Sequence, residues 1–136
     1  MNTFEILGEP NSLQRHRFGN NHNYNPSKIK QKEFTDKIKL PEKLLTEWLD
    51  IEFEFIFERP KSHLKLKEKP LFPKRKDIDN LVKFVLDALN SKMYVDDCQV
   101  VSIKAVKKYG DIAKTVITVK PNDNNPKSEP FWQANI

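Results

Sequence analysis

The sequence predicts an α+β fold, a single domain in which helices pack on a mixed β-sheet. Three observations carry this. The stretch "DIEFEFIFE" (50–58) alternates apolar and acidic residues with a period of two, the signature of a half-buried strand. "DNLVKFVLDALNS" (79–91) repeats its apolar residues at helical spacing. Across the chain the elements follow in the order β, α, β, α, β, β, a pattern that suits a mixed sheet with helices on it. At 136 residues the chain is long enough for one such domain with a real core.

Each element has its own local reason. "NTFEIL" sets Phe4 and Ile6 against polar neighbours and is a short strand. "GEPNSLQRHRFGNNHNYNP" (8–26) is rich in Gly, Pro and Asn and is expected to be a long loop. "SKIKQKEFTDKIKL" (27–40) opens with Ser27 behind Pro26 and spaces Ile29, Phe34 and Ile38 near helical intervals, so a helix is expected there. Pro41 interrupts it, and "EKLLTEW" (42–48) is expected to start a second helical piece. In the strand that follows, Ile51, Phe53, Phe55 and Phe57 face one way and Glu52, Glu54 and Glu58 the other. Three prolines and little periodicity make 59–76 a loop. The next helix carries an apolar stripe of Ile78, Leu81, Val82, Val85 and Leu89, with Asp79, Lys83 and Asp87 recurring every four residues on another face. "QVVSIKAVKKYGDIAKTVITVK" (99–120) is expected to form a hairpin around Tyr109-Gly110-Asp111. This gives a domain over 1–120 and a polar tail over 121–136, with Phe131-Trp132 as the one apolar pair in the tail.

Charge narrows the function classes. Lys and Arg number 24 against 19 Asp and Glu, a net charge of +5, with a pI of about 9.2. The excess is concentrated. Between Arg59 and Lys76 eight cations face one acid, Glu68, so that segment carries +7, and the other 16 cations and 18 acids net −2. Five more cations (Arg15, Arg17, Lys28, Lys30, Lys32) and no acid occupy 11–32. Concentrated patches of this kind bind polyanions, because each neutralised phosphate releases condensed counterions. No apolar run is long enough to span a bilayer, and the start of the chain lacks the basic and apolar regions of a signal peptide. The lone Cys98 excludes an internal disulfide, so a cytoplasmic protein is expected.

Directly behind the cations Lys74, Arg75 and Lys76 stand Asp77 and Asp79, and beyond the helix stand Asp96 and Asp97. Asp77, Asp79 and Asn80 suit a helix start, where acids cap free N–H groups and favour the dipole. Asp96-Asp97 suits a turn before a strand. One cap explains one aspartate, however, and not four. If the strand near Val95 returns beside the helix start, three or four carboxylates meet with only Lys83 to balance them. Such a set favours a divalent ion; oxygen ligands point to Mg²⁺ or Mn²⁺, which activates water and stabilises charge on phosphorus. Lys83 could neutralise developing charge, or form an exposed pair with Asp79 or Asp87 worth a few tenths of a kcal/mol.

"KRKDIDNLVKFVLDALNSKMYVDDCQVVSIKAVKKY" (74–109) closely resembles the RusA family of Holliday junction resolvases, endodeoxyribonucleases common on phage and prophage genomes. The pattern of that family is supplied here by Asp77, Asp79, Asn80, Leu81, Lys83, Asp87-Ala88-Leu89, Asp96-Asp97, Gln99-Val100 and Lys107. "GEPNSLQRHR" and "RPKSHLKLK" resemble it more loosely, and His63 departs from its common residue after the Ser. The resemblance implies a RusA-like homodimer that binds four-way junction DNA and cuts two opposing strands symmetrically with Mg²⁺ or Mn²⁺, with no organic cofactor and no membrane. It implies that Asp77, Asp79 and Asp97 are metal-binding catalytic aspartates and Lys83 a functional lysine. Asp96 is expected as an auxiliary ligand. DNA contacts are expected from Arg15, Arg17, Lys61, Lys65, Lys67, Lys69, Lys74, Arg75 and Lys76.

The remaining candidates are weaker. His16, His22 and His63 show no metal-ligand spacing. Cys98 fits a small buried side chain better than a catalytic thiol. Phe18, Tyr24 and Phe72, set among cations, are candidates for stacking at an unpaired junction centre. Ser12 and Ser62 have no base partner in sequence. Two rival readings stand beside the resolvase: a non-catalytic binder of branched DNA whose aspartates are caps, and a metal nuclease of broader structure specificity.

Overall fold

The computed structural model describes residues 2–13, 17–19, 22–24 and 27–126. Among the described residues, six strands and two α-helices follow in the order β1 (Asn2–Leu7), β2 (Arg17–Gly19), β3 (His22–Tyr24), α1 (Ser27–Asp36), β4 (Leu49–Glu58), α2 (Ile78–Leu89), β5 (Val100–Gly110) and β6 (Lys114–Pro121), with short 3-10 turns at Lys61–Lys65 and Asp97–Gln99. Four strands form the main sheet in the order β1-β6-β4-β5, while β2 and β3 form a separate short ribbon. The fold is the α+β domain that the sequence implies, with a mixed sheet: β5 runs parallel to β4, whereas β6 runs antiparallel to both β4 and β1.

Strand β4 is the centre of the molecule. Ile51, Phe53, Phe55 and Phe57 are all buried on one face, each contributing roughly 1.5–3 kcal/mol by leaving water. Helix α2 covers them with Leu81, Phe84, Val85, Ala88 and Leu89. Phe34 of α1 meets Phe84 edge to face at 5.8 Å, so the second helix packs on the first.

Several details differ from the sequence expectation. First, β5 and β6 form no hairpin; they lie on opposite sides of β4. A strand this apolar needs a partner on each edge, and the link 111–113 only has to step over one strand end, roughly 10 Å. Backbone bonds hold that link: Gly8 N donates to Ala113 O at 3.0 Å, and Arg59 N to Gly110 O at 3.4 Å.

Second, residues 42–48 form no helix. Their backbone is bonded instead to a distant segment, with Leu45 N donating to Met93 O at 2.9 Å and the Gln99 amide donating to Leu45 O and Glu47 O at 2.9 and 3.0 Å. Third, α1 ends at Asp36 rather than running to Leu40, closing with tight turns from Lys37 N to Phe34 O and from Ile38 N to Thr35 O. Within the expected loop 8–26, β2 and β3 pair over three residues each.

Fourth, the stripe on α2 is rotated. Ile78 is exposed and Val82 half-buried, while Phe84 and Ala88 take the core positions. The start of the tail is likewise attached: Asn122 N donates to Trp48 O at 2.8 Å, and Trp48 N donates to Asn125 Oδ1 at 2.6 Å. Phe131 and Trp132 lie outside the described residues.

A methyl group at Gly110 would stand 2.7 Å from Cγ2 of Ile56, closer than packing allows. Gly110→Ala is therefore expected to lower stability by about 1–3 kcal/mol through overpacking at the β4–β5 contact, measured by urea unfolding.

Candidate active site

The site is built where the two ends of α2 meet β5. At the helix start, Lys76 has a left-handed backbone, φ 61°, a conformation that costs a non-glycine residue roughly 1–2 kcal/mol. It is held in place from both sides: Lys107 Nζ donates to Lys76 O at 3.1 Å, and Lys76 Nζ donates to Pro10 O at 2.6 Å. Asp77 follows as the helix N-cap residue, yet its carboxylate makes no capping hydrogen bond. The capping account of this aspartate therefore does not describe its side chain.

Asp79, Lys83 and Asp87 rise along one side of α2 and line an open groove of about 490 Å³ between the helix and β5. Ile78, Val82, Leu86, Ile103 and Ala105 supply its apolar surface, and Asp97 enters from the strand side. The rotated stripe of α2 explains this surface: Val82 and Leu86 are only half-buried because β5 is not fully covered by the helix. Among the described residues, Lys83 forms no ion pair with Asp79 or Asp87, so the surface-pair account of this lysine does not hold.

The two adjacent aspartates do different work. Asp96 caps the single turn Asp97–Gln99, accepting from Cys98 N at 3.0 Å, while Gln99 Oε1 accepts from Asp96 N at 2.9 Å. The Cys98 N–H bond holds the Asp96 carboxyl below its ordinary range. Asp97 points the other way, toward α2, and its Oδ1 lies 2.8 Å from the Tyr94 hydroxyl. Burial pushes the Asp97 carboxyl up; the Tyr94 bond counters this, and the charges of Asp87 and Asp96 add to the rise. Cys98 itself is exposed, not buried, because the turn presents it to solvent. Its bond with Asp96 raises its thiol further from reactivity.

The structure thus brings Asp79, Lys83 and Asp97 to one groove and adds Asp87, while Asp77 and Asp96 lie outside its lining. Asp97 arrives beside Leu86 and Asp87, and Asp79 is eight residues earlier, about 12 Å along the axis. Among the described residues, no three acidic, His or Cys side chains are gathered as a ready-made metal cage. The donors are all oxygen, with one carboxyl under strain from burial and like charge. This fits a hard cation held by one or two carboxylates, with water and substrate phosphate completing its shell. Asp87 was visible in the sequence only as part of a helix face; the signal that assigns it to the groove is its i+8 spacing from Asp79.

The basic segment runs straight into this helix. Lys61, Lys65, Lys67, Lys69 and Lys74 are exposed. Arg75 pairs with Glu9 at 2.8 Å while remaining largely exposed, and Lys76 is taken up by Pro10. Arg59 stacks over Tyr109 at 4.5 Å and donates to Pro70 O, anchoring the segment to the sheet. His63 packs edge-on against the same ring at 5.5 Å. Phe72 is exposed. Arg15 and His16, and the side chains of Arg17, Phe18, His22 and Tyr24, lie outside the described residues.

A family model, Endodeoxyribonuclease RusA, matches residues 8–120. The chain belongs to the RusA family. The uncharacterized protein YqaN of Bacillus subtilis (strain 168) is 33% identical over 133 residues, covering 86% of this chain and 94% of that protein. RusA membership implies an endodeoxyribonuclease that acts on branched DNA junctions. The matched span contains β4, β5, β6 up to Lys120, both helices and the groove; β1 and the asparagines that clasp Trp48 lie outside it. Among the described residues of this RusA chain, no helix is long and apolar enough to cross a membrane.

The raised Asp97 carboxyl has a consequence for stability. At pH 7 it is ionised in a place that disfavours charge, so the folded state is weakened; below the ordinary value of 3.8 it is protonated whether folded or not, and the cost vanishes. In EDTA, Asp97→Asn is expected to unfold at a higher temperature than the wild type at pH 7. That difference should close as the pH falls below 3.8, as followed by thermal unfolding across a pH series.

Proposed function

We propose that this RusA protein is a Holliday junction resolvase that cuts opposing strands of a four-way junction symmetrically. The observation that carries the reading is the single groove lined by Asp79 and Lys83 of α2 and by Asp97 of the turn before β5, at the end of a strongly basic segment. Two symmetric cuts require two sites related by a two-fold axis, so the working form is a homodimer. Its setting is recombination and repair in the cytoplasm.

Each part has a task. Lys61, Lys65, Lys67, Lys69, Lys74 and Arg75 hold backbone phosphates and bring the branched DNA to the helix; Arg15 and Arg17 extend this contact, and Lys76 orients the chain entering the helix. Asp77 and Asp79 at the helix start, and Asp97 with Asp87 near its other end, would each offer one or two carboxylates to Mg²⁺ or Mn²⁺, with water and substrate phosphate completing the shell. Asp96 acts through its cap on the turn that carries Asp97. When bound, the cation supplies electrophilic charge at the scissile phosphate. Lys83, unpaired beside the carboxylates, offsets negative charge that develops on phosphorus. The raised Asp97 carboxyl is relieved once it faces a cation. Water attacks phosphorus and the P–O3′ bond breaks, so each cut strand carries a 3′-hydroxyl on one side of its nick and a 5′-phosphate on the other.

The test is cleavage of a synthetic four-way junction with Mg²⁺. The wild type is expected to nick opposing strands, and Asp79→Asn and Asp97→Asn to lose about 10²–10³-fold in rate, with junction affinity in EDTA unchanged. A wild type that binds junctions without nicking them would instead support the non-catalytic binder, and equal cutting of flap and linear substrates would support a broader nuclease. Replacing Lys65, Lys67 and Lys69 by Ala is expected to weaken binding at any sequence and to flatten the dependence of log affinity on log salt by about 0.9 per lost phosphate contact, measured by binding isotherms at several salt concentrations.

A further inference from the structure

We infer that Tyr94 is a positioning residue that fixes the Asp97 carboxylate for its work in the groove, an inference that rests on the groove being the active site. Tyr94 is fully buried, and its hydroxyl oxygen lies 2.9 Å from Leu86 O of α2 and 2.8 Å from Asp97 Oδ1. A phenol has one proton to donate, so it satisfies one of the two acceptors at a time. Leu86 O already accepts from Asn90 N at 3.0 Å, the closing bond of the helix. Asp97 Oδ1, ionised and partly buried, is the acceptor that gains more, because a charge-assisted bond is roughly twice as strong as a neutral one.

The ring is not free to follow the carboxylate. Tyr94 O accepts from Ser91 N at 2.9 Å, and Tyr94 pairs as a bridge with both Leu45 and Asn90. The hydroxyl is therefore a fixed point between helix and turn. Burial keeps it protonated, and so a donor, far above neutral pH. With Oδ1 engaged, Asp97 is directed to meet a ligand through Oδ2. Carboxylates that hold a cation are commonly oriented by such partners, and loss of the partner costs about 10–100-fold in metal affinity or activity.

The experiment compares wild type, Tyr94→Phe, Asp97→Asn and the double variant. Tyr94→Phe removes one oxygen and keeps the ring in its place. Three quantities are read: Mn²⁺ affinity of the DNA-free protein by electron paramagnetic resonance, the Mg²⁺ dependence of junction nicking, and junction affinity in EDTA. Tyr94→Phe is expected to weaken Mn²⁺ binding and shift the Mg²⁺ dependence by about 10-fold or more, to leave junction affinity unchanged, and to have no further effect on Mn²⁺ binding once Asp97 is Asn. A simple packing defect would add to the Asp97→Asn effect instead of vanishing within it. If the variant folds poorly, the wild-type Tyr94 hydroxyl proton is followed by NMR, where it is expected to shift on addition of Mg²⁺. A wild type that nicks while Tyr94→Phe matches it in metal affinity overturns the positioning role alone, as does a hydroxyl signal unmoved by Mg²⁺. A wild type that neither nicks junctions nor binds Mn²⁺ overturns the active-site reading and the role with it.

Discussion

The parallel pairing of β4 with β5 is the constraint from which the rest of the structure follows. An antiparallel neighbour can be reached through a two-residue turn, but a parallel one requires the chain to travel back along the sheet before it starts again. Here that return path is 59–99, and it contains the basic segment, α2 and the Asp96–Gln99 turn. The crossover delivers its acidic turn to the beginning of β5 while α2 lies along the same strand. Residues eighteen positions apart, Asp79 and Asp97, share a groove because the sheet forces both arms of the crossover to one edge.

How α2 sits on the sheet decides what kind of groove this is. Its core face is set by Leu81, Phe84, Val85, Ala88 and Leu89, which pack over β4 and against Phe34 of α1. With that face committed to the middle of the sheet, Val82 and Leu86 are left pointing toward β5, and Ile103 across from them remains about half exposed. The polar residues on the next face, Asp79, Lys83 and Asp87, therefore rim an apolar trough while remaining exposed. Burial beside this trough is the first cause of the raised Asp97 carboxyl.

Local periodicity made β1, β4 and α2 legible, because each carries an amphipathic pattern that a single neighbour suffices to bury. The positions of Asp79 and Lys83 on one helix side were equally legible from their spacing. Whether Asp97 would join them was not, since this depends on where β5 pairs, and strand order is a property of the whole sheet. The same ignorance produced the expected hairpin of β5 and β6: the short polar link was visible, but the demand of β4 for two partners was not. Residues 42–48 misled for a related reason. Their composition favours a helix, yet Met93 and Gln99 compete for their backbone groups and win. Asp96 and Asp97 are chemically identical and adjacent, so only the geometry of the turn tells the cap from the groove residue. Tyr94 carried no signal at all, as a buried phenol looks like any other core aromatic until its hydroxyl finds an acceptor.

Gln99 has a consequence for how the molecule breathes. Its side chain is fully buried and uses all its polar groups: the oxygen accepts from Asp96 N, and the nitrogen donates to two carbonyls just ahead of β4. Connecting segments normally belong to the parts of a protein that open most readily in local fluctuations. This one is fastened to the central strand by a fully satisfied amide. It should therefore exchange its amide protons on the slow timescale of the sheet, opening only when the whole cooperative unit around β4 opens.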